Sequence, residues 1–192
     1  LIKSLSRLPG IGTKSAARLA YHLLQSDQSF NQKLGEQIST VQLKIKKCES
    51  CGNYTESKIC EICSNPNRDK SELCIVETPQ DLQTIESTRE YHGLYHVLHG
   101  YISPLDGIRP EDLNFDLLKA NVKTHGVKEV IVATNPTVEG DATALYIVDM
   151  LKDDESLRIS RLASGVAVGG DLEYTDRLTL TRSLKGRVPF HS

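Results

Sequence analysis

Four of the five cysteines fall in one short stretch: Cys48-x-x-Cys51, then eight residues, then Cys60-x-x-Cys63. Two such knuckles bring four thiolates to one tetrahedral ion and leave no coordination position open, so the centre they form is structural rather than catalytic. The residues between and around them are polar (Glu49, Ser50, Asn53, Thr55, Glu56, Ser57, Lys58). A segment of that size and polarity builds no core, and metal binding has to supply the folding free energy of residues 48–63. Gly52 follows the first knuckle, where a relaxed turn lets backbone N–H groups reach the sulfurs. Disulfides use the same residues but suit oxidising compartments, and an iron–sulfur cluster also takes four cysteines; structural zinc is the reading adopted. Cys74, inside the apolar run Leu73-Cys74-Ile75-Val76, reads as a buried thiol and not a fifth ligand.

Residues 1–47 read as helical and basic. They carry eight Lys or Arg against two acids, a charge of +6, while the other 145 residues hold 15 bases and 23 acids, a charge of −8. One end of the chain therefore attracts polyanions and the rest does not. Leu1, Ile2, Leu5 and Leu8 share one face of a first helix, which Pro9 ends. In Leu8-Pro9-Gly10-Ile11-Gly12, the glycines permit backbone angles that a Cβ forbids. Thr13 is the expected cap of a second helix, with Ala16, Leu19, Ala20, Leu23 and Leu24 on its apolar side and Lys14 and Arg18 together on its outer face. A tight glycine hairpin leading into a helix N-terminus presents free N–H groups to a phosphate. DNA held by Gly10, Gly12, Lys14 and Arg18 would be bound through its backbone, without base readout and with strong salt dependence. The alternative is a plain helix–turn–helix packing element.

Residues 72–163 alternate strand-like and helix-like runs: strands at Leu73–Val76, Leu94–Leu98, Val127–Thr134 and Leu157–Ala163, helices at Pro79–Ser87, Pro110–His125 and Thr143–Leu151. That alternation predicts an α/β domain with a parallel sheet covered on both faces, with functional groups beyond the C-terminal strand ends. Glu77 follows the first of these strands, and Glu139 and Asp141 follow the third. Three carboxylates at one sheet edge suit Mg²⁺ and phosphoryl transfer. Acids at helix N-termini are also placed there by the helix dipole, and spacing does not separate the two readings. No nucleophile in a recognisable motif and no second acidic dyad accompanies them. His92, His96 and His99 read as strand and strand-edge residues. Gly165-Val166-Ala167-Val168-Gly169-Gly170 lacks the Gly-Lys-Ser/Thr ending of a phosphate loop and reads as a connection before a closing helix.

No run approaches the roughly 18 apolar residues that span a bilayer, and the start carries no signal pattern. The expectation is a cytoplasmic protein with no membrane partner. The first residue is Leu1, not Met, so the natural start is expected to be missing.

The order of these parts resembles the bacterial recombination mediators of the RecR family over nearly the whole chain. The resemblance rests on Leu8–Gly12, the four-cysteine finger, Gly93–Gly100, Ser103-Pro104-Leu105-Asp106-Gly107, Ala133–Asp141 and Gly169-Gly170-Asp171-Leu172-Glu173-Tyr174. It implies a helix-hairpin-helix (1–47), a zinc finger (48–63), a Toprim domain (72–163) and a C-terminal Walker B-like segment (164–192). It further implies a ring-shaped homotetramer that clamps DNA and acts with RecO and RecF to load RecA on gapped single-stranded DNA, without catalysis. Lys14 and Arg18 match the family's DNA-contacting bases, and Glu77, Glu139 and Asp141 its Toprim acids. Gly165-Val166-Ala167 stands where the family commonly has Gly-Leu-Pro.

Overall fold

The computed structural model describes residues 1–189. Contacts divide the chain at Lys46/Lys47 into two compact units.

The first unit holds three helices, α1 (Ile2–Leu5), α2 (Thr13–Gln25) and α3 (Gln28–Lys44). α1 stops well before Pro9. The N–H groups of Arg7 and Leu8 turn to the carbonyls of Ser4 and Leu5 (3.2 and 3.1 Å), because a residue preceding proline is disfavoured in the helical region and the turn tightens ahead of it. Gly10 has φ +77°, a conformation open to glycine at no steric cost. α2 starts one residue earlier than its expected cap. Gly12 is the N-cap, no side chain caps the helix, and Thr13 is already helical. Of the apolar face of α2, Ala16 and Ala20 are buried, whereas Leu19 and Leu24 are exposed.

The second unit begins with a small ribbon, β1 (Lys46–Lys47) paired with β2 (Tyr54–Thr55), and the one-turn helix α4 (Glu61–Ser64). There follow β3 (Asp69–Val76), α5 (Pro79–Thr88), β4 (Gly93–Val97), α6 (Phe115–His125), β5 (Glu129–Val132), α7 (Val138–Leu151), β6 (Arg158–Arg161) and α8 (Arg177–Lys185). The four long-range strands form a sheet ordered β4-β3-β5-β6, parallel throughout. The run Leu73–Val76 is apolar at every position because this central strand is covered on both faces. On one face Leu73, Ile75, Leu94 and Val130 pack with Leu118 and Val122 of α6 and Ile147 and Leu151 of α7. On the other, Cys74, Val76, Tyr95 and Val97 pack with Leu82 of α5 and with Ile62 of α4.

Local signals set the helix ends. Thr78 and Asp81 form a capping box with Pro79 just inside it, which satisfies orphan N–H groups at the start of α5. α6 closes on Gly126 in the left-handed region, the common glycine stop. α7 starts five residues earlier than the apolar pattern predicts, because the Thr137 hydroxyl accepts from Gly140 N (3.0 Å) and draws Val138–Ala142 into the helix.

Candidate functional site

The four sulfurs of Cys48, Cys51, Cys60 and Cys63 lie within 4.8 Å of one another, and all five cysteines are free thiols. A tetrahedron with 2.3 Å metal–sulfur arms has edges of about 3.8 Å; Cys51 and Cys60 stand 3.6 Å apart. Cys48, Cys51 and Cys60 are buried. Asn53 N–H points at the Cys51 sulfur (3.4 Å) and Cys60 N–H at the Cys48 sulfur (3.3 Å), donors that favour thiolate over thiol. The donor set fits one divalent soft cation held as four thiolates, closed to substrate.

The finger is bonded to the sheet domain. Val97 N–H donates to Cys51 O (2.8 Å), His99 Nε2–H to Gly52 O (2.6 Å) and Asn121 Nδ2 to Ser50 O (2.5 Å). Gly52 has φ +81°, and a Cβ there would meet Val97 O at 3.0 Å, so glycine is needed both for the angle and for the close approach.

At the C-terminal edge of the sheet, chain order reverses between β3 and β5, the position where open α/β sheets form a crevice. Glu77 leaves β3 there and is buried. Its Oε1 accepts from Asn135 N (2.9 Å) and its Oε2 from Asn135 Nδ2 (2.6 Å). Gly140 closes this arrangement, since a Cβ would sit 2.0 Å from Asn135 O and 2.9 Å from Glu77 Oε1. Asp141 turns to two arginines, Arg161 (2.5 Å) and Arg182 on α8 (2.9 Å). The Arg161 hydrogen bond holds its carboxyl below the usual carboxylate range. Glu139 lies in the first turn of α7. Among the described residues, the four cysteines are the one group of three or more metal-ligating side chains close enough to share an ion. The edge thus gathers Glu77, Glu139 and Asp141 in one neighbourhood without converging them on a point.

In the first unit, Lys14 and Arg18 are exposed on α2. The Thr13, Lys14 and Ser15 amides precede the first helical bond, from Ala16 N to Gly12 O (2.9 Å). No acid stands in that turn.

Family models match the chain in the same order: RecR, helix-hairpin-helix over residues 1–41; RecR, four-cysteine zinc finger domain over 45–65; Toprim domain over 71–163; RecR, C-terminal over 165–188. The Recombination protein RecR of Treponema denticola is 55% identical over 190 residues, covering 99% of this chain and 97% of that protein. Its namesake from Syntrophobacter fumaroxidans is 47% identical, covering 99% and 94%, and that from Acidothermus cellulolyticus 50% identical, covering 97% and 94%. The chain belongs to the RecR family.

In this RecR-family chain the cysteine cluster is therefore a four-cysteine zinc finger, as its spacing predicts, and zinc is its structural metal. Cys74 is the buried thiol expected of a strand residue, its acidity suppressed to about 12 by burial. The histidine-rich stretch divides: His96 is a core residue of β4, and His99 is the bolt to the finger, a role that strand periodicity does not reveal. Spacing also leaves Asn121 and Asn135 unmarked, since each acts on a residue far away in sequence. A polar Asn on the apolar side of α6 is the one signal that could have flagged Asn121. The Gly165–Gly170 stretch is a turn-rich connection, with Gly169 at φ +83°. Among the described residues no helix is long and apolar enough to cross a membrane.

Proposed function

We propose that this chain is a DNA-binding mediator of recombinational repair, a clamp that grips nucleic acid through its backbone and breaks no bond. The observation that carries the reading is the hairpin: a Gly10 turn, a bare Gly12 N-cap, and Lys14 and Arg18 exposed one turn apart on the helix that follows. Uncapped amides and paired cations suit phosphate oxygens and carry no base information. Gly10 and Gly12 let the sugar-phosphate strand come close.

Four regions divide the labour: residues 1–47 bind DNA, 48–63 form the zinc finger, 72–163 the Toprim domain and 164–192 the C-terminal Walker B-like segment. Glu139 and Asp141, partly exposed at the sheet edge beside the buried Glu77, form a partner-binding surface. Support for a non-catalytic role is that both oxygens of Glu77 are engaged by Asn135 and those of Asp141 by arginines. Membership of the RecR family supports a part in recombination, and the resemblance of the motifs extends that part to action alongside RecO and RecF in loading RecA on gapped single-stranded DNA, in the cytoplasm. A homotetramer would place several weak hairpins on one polymer and raise avidity.

Binding of gapped DNA by the wild type and by Lys14→Ala/Arg18→Ala, measured across a salt series, tests this reading. Losing two phosphate contacts should lower affinity at every sequence and reduce the slope of log K against log salt by about 1.8. Unchanged affinity and slope in the double variant would reject the hairpin as the contact surface. Strand cleavage with Mg²⁺ that disappears in Glu77→Ala would reject the non-catalytic reading.

A further inference from the structure

We propose that the zinc finger and the carboxylate edge of the Toprim sheet are one coupled unit, with His99 as the positioning residue that joins them, so that zinc occupancy sets the order of the turn holding Glu77. The inference rests on the four-cysteine centre and is independent of where DNA binds.

The path is short: three main-chain bonds and one from the His99 side chain. Cys51, a zinc ligand, offers its carbonyl to Val97 N–H at the end of β4 (2.8 Å). The next carbonyl, of Gly52, accepts from His99 (2.6 Å). One residue further, Gly100 N–H donates to Glu77 O (3.0 Å), and Leu98 N–H donates to Val76 O (2.9 Å). β4 is an edge strand, so the finger takes the place of a neighbouring strand for Val97. The segment that carries these bonds is conformationally demanding. His99 is one of two non-glycine residues at positive φ among those described (63°), and Gly100 sits at 153°. A histidine in the left-handed region is uncommon and persists where surrounding contacts over-determine it. Those contacts are the Gly52 carbonyl and the ring of Tyr54, 5.6 Å from the imidazole, both from the finger. Burial keeps the imidazole below its ordinary basicity, which suits a neutral ring donating through Nε2 to a carbonyl.

Residues 48–63 have no core beyond the cysteines themselves and Ile62, so their fold requires metal. Loss of zinc would withdraw the Cys51 and Gly52 carbonyls and release residues 97–100, and with them the Gly100 bond to Glu77. Coupling of this kind is reciprocal: if zinc orders the turn, the turn must hold the zinc by the same factor.

The test uses full-length protein loaded with zinc. Hydrogen exchange is followed at the Val97, Leu98 and Gly100 amides before and after chelation, with β5 and β6 as internal reference. Exchange should accelerate at Val97, Leu98 and Gly100, the last reporting its bond to Glu77 O, and stay unchanged in β5–β6. In parallel, zinc release to a colorimetric chelator is timed for wild type, His99→Ala and His99→Gln. Removing one hydrogen bond to a buried carbonyl should speed release about tenfold in His99→Ala, and His99→Gln, which keeps a donor, should recover most of the difference. Equal release rates in wild type and His99→Ala, both still folded by circular dichroism, would overturn the assignment of His99. Exchange at Val97, Leu98 and Gly100 that ignores zinc, or that rises together with β5–β6, would overturn the coupling.

Discussion

His96 makes the chain sensitive to mild acid. It lies on β4 on the same side as Leu94 and Leu98, is fully buried, and neither ring nitrogen has a hydrogen-bond partner among the described residues. Burial lowers its pKa from 6.5 to about 4; the nearby Asn114 backbone, outside hydrogen-bond geometry, offsets a part of this and His99 adds a smaller downward push. The folded state then binds fewer protons than the unfolded chain between those values, so the histidine's contribution is full above pH 6.5 and is lost as pH falls toward 4. With 1.36 kcal/mol per unit, the loss is about 1 kcal/mol at pH 5.5, about 2 kcal/mol at pH 5 and about 3 kcal/mol below pH 4. His96→Leu keeps the volume and removes both the proton site and the orphaned nitrogens. Urea unfolding of both proteins with excess zinc, at pH 7.5 and pH 5.5, isolates the effect, because the thiols are common to both and cancel in the difference. The variant should be at least as stable as the wild type at pH 7.5, and should gain a further ~1 kcal/mol at pH 5.5. Parallel pH profiles for the two proteins would refute the reasoning, since a histidine that titrates normally in the fold gives no such slope.

Other substitutions probe the remaining supports. Gly140→Ala drives a Cβ onto the Asn135 carbonyl and the Glu77 carboxylate, and should cost about 1–3 kcal/mol in thermal unfolding while exposing the Asn135 amide to faster exchange. Leu118→Ala or Ile147→Ala, each at a fully buried position, should cost about 2–5 kcal/mol by urea unfolding, more than any surface change on α7. Thr78→Ala removes the capping box of α5 and should cost about 0.5–2 kcal/mol. Arg182→Ala should loosen α8, raising its proteolysis, yet change global stability by less than about 1 kcal/mol because the Asp141 pair is partly exposed. Asp141 has a depressed pKa, so the attachment of α8 should hold above the ordinary carboxylate range and weaken as pH drops through the lowered value.

Much of this architecture is legible in the residues. The spacing of four cysteines dictates a closed tetrahedral centre, because thiolate chemistry and knuckle geometry are local. The apolar runs at Leu73–Val76 and Val130–Val132, separated by helical patterns, dictate buried parallel strands, because a strand covered on both faces tolerates no polar alternation. Pro9-Gly10-Ile11-Gly12 dictates a break between two helices for equally local reasons. Where pattern and structure part, at the cap of α2 and the starts of α6 and α7, the cause is also local: Gly12 and Thr137 take the capping positions, and Pro110–Asp112 forms a separate single turn ending on extended Leu113, so that α6 begins at Phe115 and not at Pro110. What the chain does not declare is which distant groups meet. Spacing offers Glu77, Glu139 and Asp141 as a shared ion site, but only the neighbouring of β3 and β5 delivers Asn135 to Glu77, and only the return of β6 and α8 brings Arg161 and Arg182 to Asp141. Likewise His99 reads as one more strand-edge histidine until the edge of the sheet places it against Gly52, 47 residues away. Pairing across such separations is settled by strand order and packing, which no local pattern encodes.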